Sequence, residues 1–224
     1  MSIVAPPPTE MTVEELAARV GAIPLWRVRT DPPPGTATED DLERVRRETG
    51  RLCELIDGVL VEKAVSSKTS SVGMILGALL TNFVVSRRLG WMFGADGFTW
   101  LSDTQLRAPD ISFVRRDQRS EGKLPDQGYT DIAPALVVEV FSPGNTAKEM
   151  EQKRREFFAA GTELFWIVYP DRQEIEVFTD TESHRLLRRD DTLDGGTVLP
   201  GFSVKVSEIF AAVELGDDPD GTPG

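Results

Sequence analysis

Residues 136–141 form a short run, Leu-Val-Val-Glu-Val-Phe, that is apolar at every position except Glu139. The run shows no alternation between apolar and polar residues, so a strand formed here must be covered on both faces. It is followed by a polar turn and by a helical segment at residues 147–160, which Gly161 ends. This pattern predicts an α/β fold in which helices cover a buried central strand.

A β-hairpin is predicted over residues 52–63, where two β-rich runs flank Asp57-Gly58. Asp-Gly is the strongest short signal for a two-residue hairpin turn. The predicted cross-strand pairs are Ile56 with Val59, Glu54 with Val61 and Leu52 with Lys63. Glu54 then lies on an apolar face, where a carboxylate needs a partner.

A long helix is predicted over residues 69–88, with Gly90 ending it. Its apolar residues recur at helical spacing and make one stripe, formed by Val72, Ile75, Leu76, Leu79, Leu80, Phe83 and Val84. Shorter strands are predicted at residues 91–93, 98–101, 111–114, 164–169 and 174–178. A polar loop is predicted from 115 to 133. The order α-β-β-β-α-β-β predicts a central mixed sheet flanked by helices.

The two ends of the chain differ in composition from its middle. Residues 1–50 are predicted to be an N-terminal extension of short helices and a Pro-rich linker; Thr12 and Glu15 have the spacing of a capping box. Residues 51–212 are predicted to be the folded domain. The acidic, polar residues 213–224 are predicted to be a disordered tail.

The chain contains one histidine and one cysteine, which excludes several kinds of site. Ser-His-Asp and Cys-His hydrolases need a histidine base, and zinc sites usually need several histidine or cysteine ligands. His184 lies in a polar segment and is predicted to be an ordinary surface residue. Chemistry at this protein would therefore depend on carboxylates and lysines. The carboxylate oxygens are ligands that suit Mg²⁺ or Mn²⁺.

The formal net charge of −12 is unusual for a protein that binds nucleic acid, because phosphate neutralisation supplies much of that affinity. Locally basic runs do occur, such as Arg87-Arg88 and residues 148–155. The N-terminus lacks the basic start and apolar run of a signal peptide, and no run reaches the 18 or so apolar residues of a membrane span. We therefore expect a cytoplasmic protein with no membrane partner.

Three residues are candidates for phosphoryl chemistry. Asp110 follows Pro109 at the start of a predicted strand, a dipeptide that by itself is also typical of an ordinary turn. Glu139 lies within the buried run and needs a metal ion or a buried salt bridge with an arginine. Lys153 shares the inward stripe of the next helix, although Arg154 beside it fits the periodicity too. Two carboxylates can hold a divalent metal ion, and an ammonium group can stabilise the charge that develops on a phosphate.

The order of these residues, and several segments around them, resemble the Uma-two family of restriction-endonuclease-like proteins in the PD-(D/E)XK nuclease superfamily. The segments are CELIDGVLVEK, RAPDISFV, PALVVEVFSPGNT, KEMEQKRREFFAAGTELFWIVYPD and LPGFSVKVSEIF, within residues 52–210. The resemblance implies a PD-(D/E)XK restriction-endonuclease-like fold with an N-terminal β-hairpin and helical extension.

The resemblance also implies roles for individual residues. Asp110 and Glu139 would bind Mg²⁺ or Mn²⁺, with the peptide carbonyl of Val140 as a further metal ligand. Lys153 would be a catalytic lysine that has migrated from the strand to the helix, since Phe141 stands at the usual lysine position. Glu54 would orient a metal-bound water. Many family members have a histidine near the start of the first long helix, where this chain has Thr69.

Three hypotheses follow. The first is a metal-dependent endonuclease that hydrolyses phosphodiester bonds of DNA. The second is a nuclease-fold binding or assembly module with weak or no catalysis, which the acidic charge and Thr69 favour. The third is a metal-dependent hydrolase acting on nucleotides or RNA. Family analogy also suggests a homodimer, in which two sites address two strands.

Overall fold

The computed structural model describes residues 11–119, 123 and 129–211. Residues 1–10 of the predicted N-terminal extension and the predicted tail at 213–224 lie outside these residues. The helices are α1 (Val13–Val20), α2 (Glu39–Thr49), α3 (Ser67–Arg87), α4 (Ala147–Ala160) and α5 (Val206–Ala211). The strands are β1 (Cys53–Ile56), β2 (Val59–Glu62), β3 (Gly90–Phe93), β4 (Thr99–Ser102), β5 (Gln105–Arg107), β6 (Ile111–Arg115), β7 (Leu136–Val140), β8 (Leu164–Tyr169), β9 (Glu174–Phe178), β10 (His184–Leu187), β11 (Thr192–Gly195) and β12 (Leu199–Lys205).

The main sheet has six strands in the order β10-β9-β8-β7-β6-β3. Its strands are antiparallel except for β7 and β8, which α4 joins as a parallel crossover. All five residues of β7 are buried, as their apolar character predicts. The predicted mixed sheet flanked by helices is confirmed, and β7 is inside it.

A second sheet of four strands, in the order β2-β1-β5-β4, contains the predicted hairpin. The pairs Glu54–Val61 and Ile56–Val59 are present in the predicted register. Asp57 and Gly58 both have positive φ, 48° and 76°, as a two-residue turn that matches the strand twist requires. Strand β5 was not predicted, because three residues are too few to show a period.

Helix α3 packs on the main sheet through Val72, Leu76, Leu80 and Val84, which are buried. It begins two residues earlier than predicted, because Ser66 and Thr69 form a reciprocal capping box. The helix ends at Arg87, one residue before the predicted end, but Gly90 is not the residue that terminates it. Arg88, in the left-handed conformation at φ 55° and ψ 40°, caps the helix, and Gly90 begins β3.

Helix α4 has the predicted bounds, with a Thr146–Glu149 capping box at its start and Gly161 after its end. Lys153 is buried on its inner face, between Met150 and Phe157. Arg154 instead lies over the ring of Phe178, 4.1 Å from its centroid. Tertiary packing thus separates the two basic residues that periodicity left equivalent.

The N-terminal segment packs against the body of the protein. Val20 and Ile23 form one core cluster with the hairpin residues Ile56, Val59 and Val61. Arg27, from a short 3-10 turn, makes a buried ion pair of 2.7 Å with Glu149 of α4. The segment therefore braces both the hairpin and the helix that carries Lys153.

The C-terminal part contains elements that were not predicted from periodicity. Strand β10 extends the main sheet at its edge, β11 and β12 form a two-stranded sheet, and α5 follows. His184 begins β10 and its side chain is 43% exposed, so the predicted surface position is confirmed. Strands of four residues with mixed polarity give only a weak signal in sequence.

Helix α3 is, by length and composition alone, apolar enough to cross a membrane. In the fold it serves as a core helix, since its buried residues belong to the largest apolar cluster together with residues of β7 and β8. The opposite face of α3 is exposed to solvent: the side chains of Met74 and Val85 are 74% and 63% exposed.

Candidate active site

Five charged side chains from separate elements meet near the carboxyl end of β7; we call them the ion cluster. The cluster consists of Glu54, Lys63, Asp110, Glu139 and Lys153. Four of these residues were singled out from the sequence, and the structure brings all four together. Their chemical roles stay predictions.

Asp110 lies immediately before β6, opposite Glu139 when the β6–β7 register is extended by one residue. Its Oδ2 accepts a hydrogen bond of 2.8 Å from the Val140 backbone N–H, which fixes the carboxylate against β7. Its Oδ1 is 3.1 Å from Lys63 Nζ. The side chain is 23% exposed, so solvent reaches this carboxylate.

Lys63 is the cluster member that the sequence analysis did not assign. It follows β2, its side chain is only 4% exposed, and it also donates to the carbonyls of Ala108 at 2.6 Å and Ala95 at 3.3 Å. These three contacts fix the ammonium group beside Asp110. The signal was present, because the hairpin register placed Lys63 on the same face as Glu54.

Glu139 and Lys153 form a buried ion pair of 2.9 Å across β7 and α4. The alternative for Glu139 was a buried salt bridge to an arginine; the structure has a buried salt bridge, with a lysine as the partner. Lys153 also approaches Glu54 Oε1 at 3.3 Å. One ammonium group therefore joins two carboxylates that come from the two different sheets.

Glu54 is fully buried and has further partners. Arg107 of β5 donates to Oε2 at 3.0 Å, and the Ala108 backbone N–H donates to Oε1 at 3.2 Å. The other guanidinium nitrogen of Arg107 bonds Glu156 of α4 at 2.5 Å. Sequence reasoning missed Arg107 because it missed β5. These contacts explain why a glutamate is tolerated on the apolar face of the hairpin.

Protonation of the two buried glutamates is affected in opposite directions. Burial acts to raise the pKa of Glu54, but the charges of Lys153, Arg107 and Lys63 outweigh it and lower the pKa to about 2. Burial raises the pKa of Glu139 to about 7; Lys153 opposes this, and the Asp110 carboxylate adds to it. Such divergence between neighbouring carboxyls is typical of sites that handle protons or cations.

Lys153 is an ammonium ion in this setting. Burial acts to lower its pKa, but the carboxylates of Glu139 and Glu54 outweigh burial, so the pKa is raised. A lysine without such partners would lose its charge when buried to this extent. A positive charge is thus held at the base of the site over the whole neutral range.

A groove of about 660 Å³ lies between α3 and β3, and Asp110 is the member of the ion cluster that lines it. Thr69, at the position where many family members have histidine, also lines this groove. Its hydroxyl donates to the Ser66 carbonyl at 2.9 Å and takes part in the helix cap. In this chain the residue therefore serves the start of α3.

The donor set suits a hard divalent cation, since Asp110 supplies a solvent-accessible carboxylate and Glu139 a buried one on the neighbouring strand. No cluster of three or more His, Cys, Asp or Glu side chains has metal-binding geometry in the described part of the chain. A site built on these residues would thus need backbone, water or substrate oxygens as well. The structure shows Val140 donating its N–H to Asp110; its carbonyl as a ligand stays a prediction.

The carboxylates of the site have cationic partners without a metal ion. Those of Glu54, Asp110 and Glu139 face the cations Lys63, Lys153 and Arg107 at 2.9 to 3.3 Å. Arg107 also pairs with Glu156, so four carboxylates face three cations. An added divalent cation would leave an excess of positive charge. The site therefore accommodates a metal ion best when an anion such as a phosphate enters with it.

A solved structure shares this fold. The chain resembles the crystal structure of "a putative nuclease belonging to DUF820 from Anabaena variabilis ATCC 29413", with a TM-score of 0.65 and 18% sequence identity. The match covers 73% of this chain and 92% of the other. At this level of identity the likeness concerns the fold, which is restriction-endonuclease-like.

A comparison with curated proteins gave no match. A family model, described as Uma2, "Putative restriction endonuclease", matches residues 39–207. The matched segment contains every member of the ion cluster and most of the chain, and the sequence resemblance pointed to the same family. This chain belongs to the Uma2 family.

Proposed function

We propose that this chain is a metal-dependent endonuclease that hydrolyses phosphodiester bonds of DNA with Mg²⁺ or Mn²⁺. The observation that carries the proposal is the ion cluster, in which carboxylates on neighbouring strands lie beside two buried lysines. The Uma2 membership supports a nuclease-like function in general. The metal ion and DNA as substrate are our inference.

Asp110 and Glu139 would hold the metal ion, with the Val140 carbonyl as a further ligand. When bound, the ion would acidify a water molecule and offset charge on the phosphate. The residues fit this use because Asp110 lines a solvent-accessible groove with Glu139 on the strand beside it, and because a phosphate would offset the added positive charge.

The protein's own residues contribute position and charge. Lys153, held as an ammonium ion, would stabilise the charge that develops on the phosphate. Glu54 and Arg107 fix the position of Lys153, and Lys63 fixes that of Asp110. A site with so many mutual contacts is organised before the substrate arrives, which lowers the reorganisation needed in the transition state.

A second candidate function is a nuclease-fold binding or assembly module. The specific observation in its favour is that each carboxylate of the ion cluster has a cationic partner without a metal ion. Metal titration by calorimetry separates the two functions. Binding of Mn²⁺ in the presence of a non-hydrolysable phosphodiester, lost in Asp110→Asn, would favour the enzyme; no binding under either condition would favour the module.

The first test is cleavage of supercoiled plasmid with Mn²⁺ or Mg²⁺ by the wild type and by Asp110→Asn. We expect the wild type to nick or linearise the plasmid and the variant to lose at least about 100-fold of that rate, since a missing metal ligand removes transition-state stabilisation. Equal cleavage by both proteins would refute the assignment of Asp110. A parallel assay with RNA and with nucleotides separates the third hypothesis.

A further inference from the structure

Trp26 is the largest of the exposed apolar side chains in the described part of the chain, and it is 75% exposed. It belongs to the short 3-10 turn Leu25–Arg27, between the helices of the N-terminal segment. An indole ring has more apolar area than any other side chain, and such rings left in water are typical of binding surfaces. The exposure of Trp26 therefore needs a reason outside the packing of the fold.

The backbone beside Trp26 is firmly held. The next residue, Arg27, is buried, its Nη1 bonds Glu149 of α4 at 2.7 Å, and its Nε donates to the Glu62 carbonyl at 2.7 Å. These contacts fix the 3-10 turn to both the hairpin and α4. The indole is thus presented on a rigid support, so little conformational freedom of the backbone is lost when a ligand binds it.

Trp26 lies at the rim of the ion cluster. A Cβ placed on Gly144 would be 3.4 Å from Trp26 Cη2 and 2.9 Å from the Cβ of Ala64. Gly144 is in the turn that follows β7, the strand of Glu139, and Ala64 directly follows Lys63. The edge of the indole therefore lies next to two segments that carry members of the cluster.

An apolar surface continues from Trp26 to Asp110. Ala64 lines the groove between α3 and β3, and so do Val65 and Met74, which are 75% and 74% exposed. Asp110 is the one charged residue among the described residues that line this groove. A surface of this kind has no cations for phosphates. It suits uncharged, flat groups such as nucleobases.

We propose that Trp26 stacks on an unpaired base of the nucleic acid strand whose phosphate is bound at Asp110. The substrate is then a single strand, or a duplex that is locally unpaired. Inside an intact duplex the neighbouring base pairs cover both faces of a base, so a base reaches an aromatic side chain only when it is unstacked. The inference rests on the proposed function, because the ion cluster supplies the site for the phosphate.

The size of the groove and the charge of the chain support this substrate. Its volume of about 660 Å³ is typical of sites for small ligands, about 300–1,000 Å³, and can hold bases of a single strand but no duplex. Stacking also supplies affinity that does not depend on phosphate neutralisation, to which a chain with a net charge of −12 contributes little.

A protein partner would also cover an exposed tryptophan. A nucleobase is favoured because Trp26 is next to the ion cluster and because the surface between Trp26 and Asp110 ends at the carboxylate that would hold the metal ion. A protein bound there would block the approach of a phosphate to Asp110.

Binding of a fluorescently labelled oligothymidylate, followed by anisotropy without a divalent metal ion, tests the proposal while the strand stays intact. We expect the wild type to bind this strand more tightly than a duplex of the same length. Trp26→Ala should weaken binding of the single strand about 10-fold or more, and Trp26→Phe should retain most of it. The matched control is Val85→Ala, which changes an apolar residue that is 63% exposed and should bind like the wild type.

An abasic strand of the same length separates stacking from other effects of the substitution. The wild type should bind it as weakly as Trp26→Ala binds oligothymidylate, and Trp26→Ala should bind both strands equally. Circular dichroism verifies that the variants fold. The proposal would be overturned if the wild type does not bind the single strand, if it binds the abasic strand equally well, or if Trp26→Ala has no effect.

The two proposals can fail separately. Binding of the single strand that depends on Trp26, without cleavage when Mn²⁺ or Mg²⁺ is added, would keep the stacking site and refute the endonuclease. Metal-dependent cleavage that Trp26→Ala leaves unchanged on single strands would keep the endonuclease and refute the stacking site. A change in mass by light scattering in Trp26→Ala, with oligothymidylate binding unchanged, would assign Trp26 to a protein contact and also refute stacking.

Discussion

Glu54 and Glu139 share one lysine, yet burial dominates at Glu139 while attraction dominates at Glu54. Glu54 has Arg107, Lys153 and a backbone N–H around it, and it stays ionised. Glu139 has one ammonium partner and a neighbouring carboxylate, so its pKa is raised. Glu54 is therefore a structural residue that stays ionised at neutral pH, whereas the carboxyl of Glu139 can gain or lose a proton near neutral pH.

This contrast predicts different costs for the same substitution. Glu54→Gln removes an ionised group whose pKa is lowered from 4.5 to about 2, so it should lower the free energy of unfolding at pH 7 by about 3 kcal/mol. Glu139→Gln replaces a carboxyl whose charged form is disfavoured by burial, so it should lower the free energy of unfolding less than Glu54→Gln does, even though Lys153 loses one of its two carboxylate partners. Urea denaturation of both variants at pH 7 checks the contrast.

The same reasoning gives a pH dependence. A carboxyl with a lowered pKa in the folded state stabilises the protein above its unfolded pKa, and that contribution is lost as the pH falls. The stability difference between wild type and Glu54→Gln should therefore be full above pH 4.5 and shrink as the pH falls towards 2. A difference that stays constant from pH 7 to pH 3 would contradict the ionised state of Glu54.

At the scale of elements, the hairpin is the part that connects the N-terminal segment to the site. Gly58 has φ 76°, and its carbonyl accepts hydrogen bonds from the backbone N–H groups of Gly35 and Ala37, at 2.7 and 2.9 Å. The turn therefore holds the linker as well as the strands β1 and β2, which carry Glu54 and lead to Lys63.

Gly58→Ala should destabilise the protein for two reasons, backbone strain at positive φ and a clash. An added Cβ would lie 2.7 Å from the Gly35 carbonyl carbon and oxygen. Gly50→Ala is a matched control, since Gly50 has φ 70° with nothing within 4 Å of the added Cβ. Strain alone costs about 1 kcal/mol. Thermal unfolding should show a larger loss for Gly58→Ala; equal losses would mean that the linker moves away freely.

Elements differ in how well their sequence predicted them. The buried strand β7 and helix α4 were predicted with their bounds because every position carried a signal, apolar runs or capping residues. Strand β5 was missed because it is three residues long. The capping residue of α3 was missed because Arg88 adopts a left-handed conformation that its identity does not favour. Short elements and strained caps are set by contacts made elsewhere in the fold.

At the scale of the whole molecule, the question is how much of the chain the folded unit needs. The family model begins at residue 39, but Val20, Ile23 and Arg27 are buried against the hairpin and α4. Removing the burial of Val20 and Ile23 should lower the free energy of unfolding by roughly 2 kcal/mol for each residue. Removing Arg27 leaves Glu149 as an unpaired buried charge, which should lower it by roughly 3–5 kcal/mol more. This total approaches the whole stability of a typical domain.

A chain that begins at residue 39 should therefore fail to fold stably, whereas one that begins at residue 11 keeps all the described contacts and should fold. Circular dichroism and limited proteolysis of the two chains check this expectation. A stable, protease-resistant chain beginning at residue 39 would show that the N-terminal segment is dispensable. That result would agree with the sequence-based prediction of this segment as an extension outside the folded domain.

The sequence by itself determined the central strand, the two site helices, the hairpin register and the identities of four ion-cluster residues, because periodicity and turn chemistry are local properties. Only the tertiary structure showed that Lys63 lies beside Asp110, that Arg107 supports Glu54, and that Lys153 rather than Arg154 faces Glu139. These contacts join residues that are distant in sequence, such as Glu54 and Lys153. Which charge is buried against which partner depends on how the two sheets and α4 pack, and no local pattern contains that information.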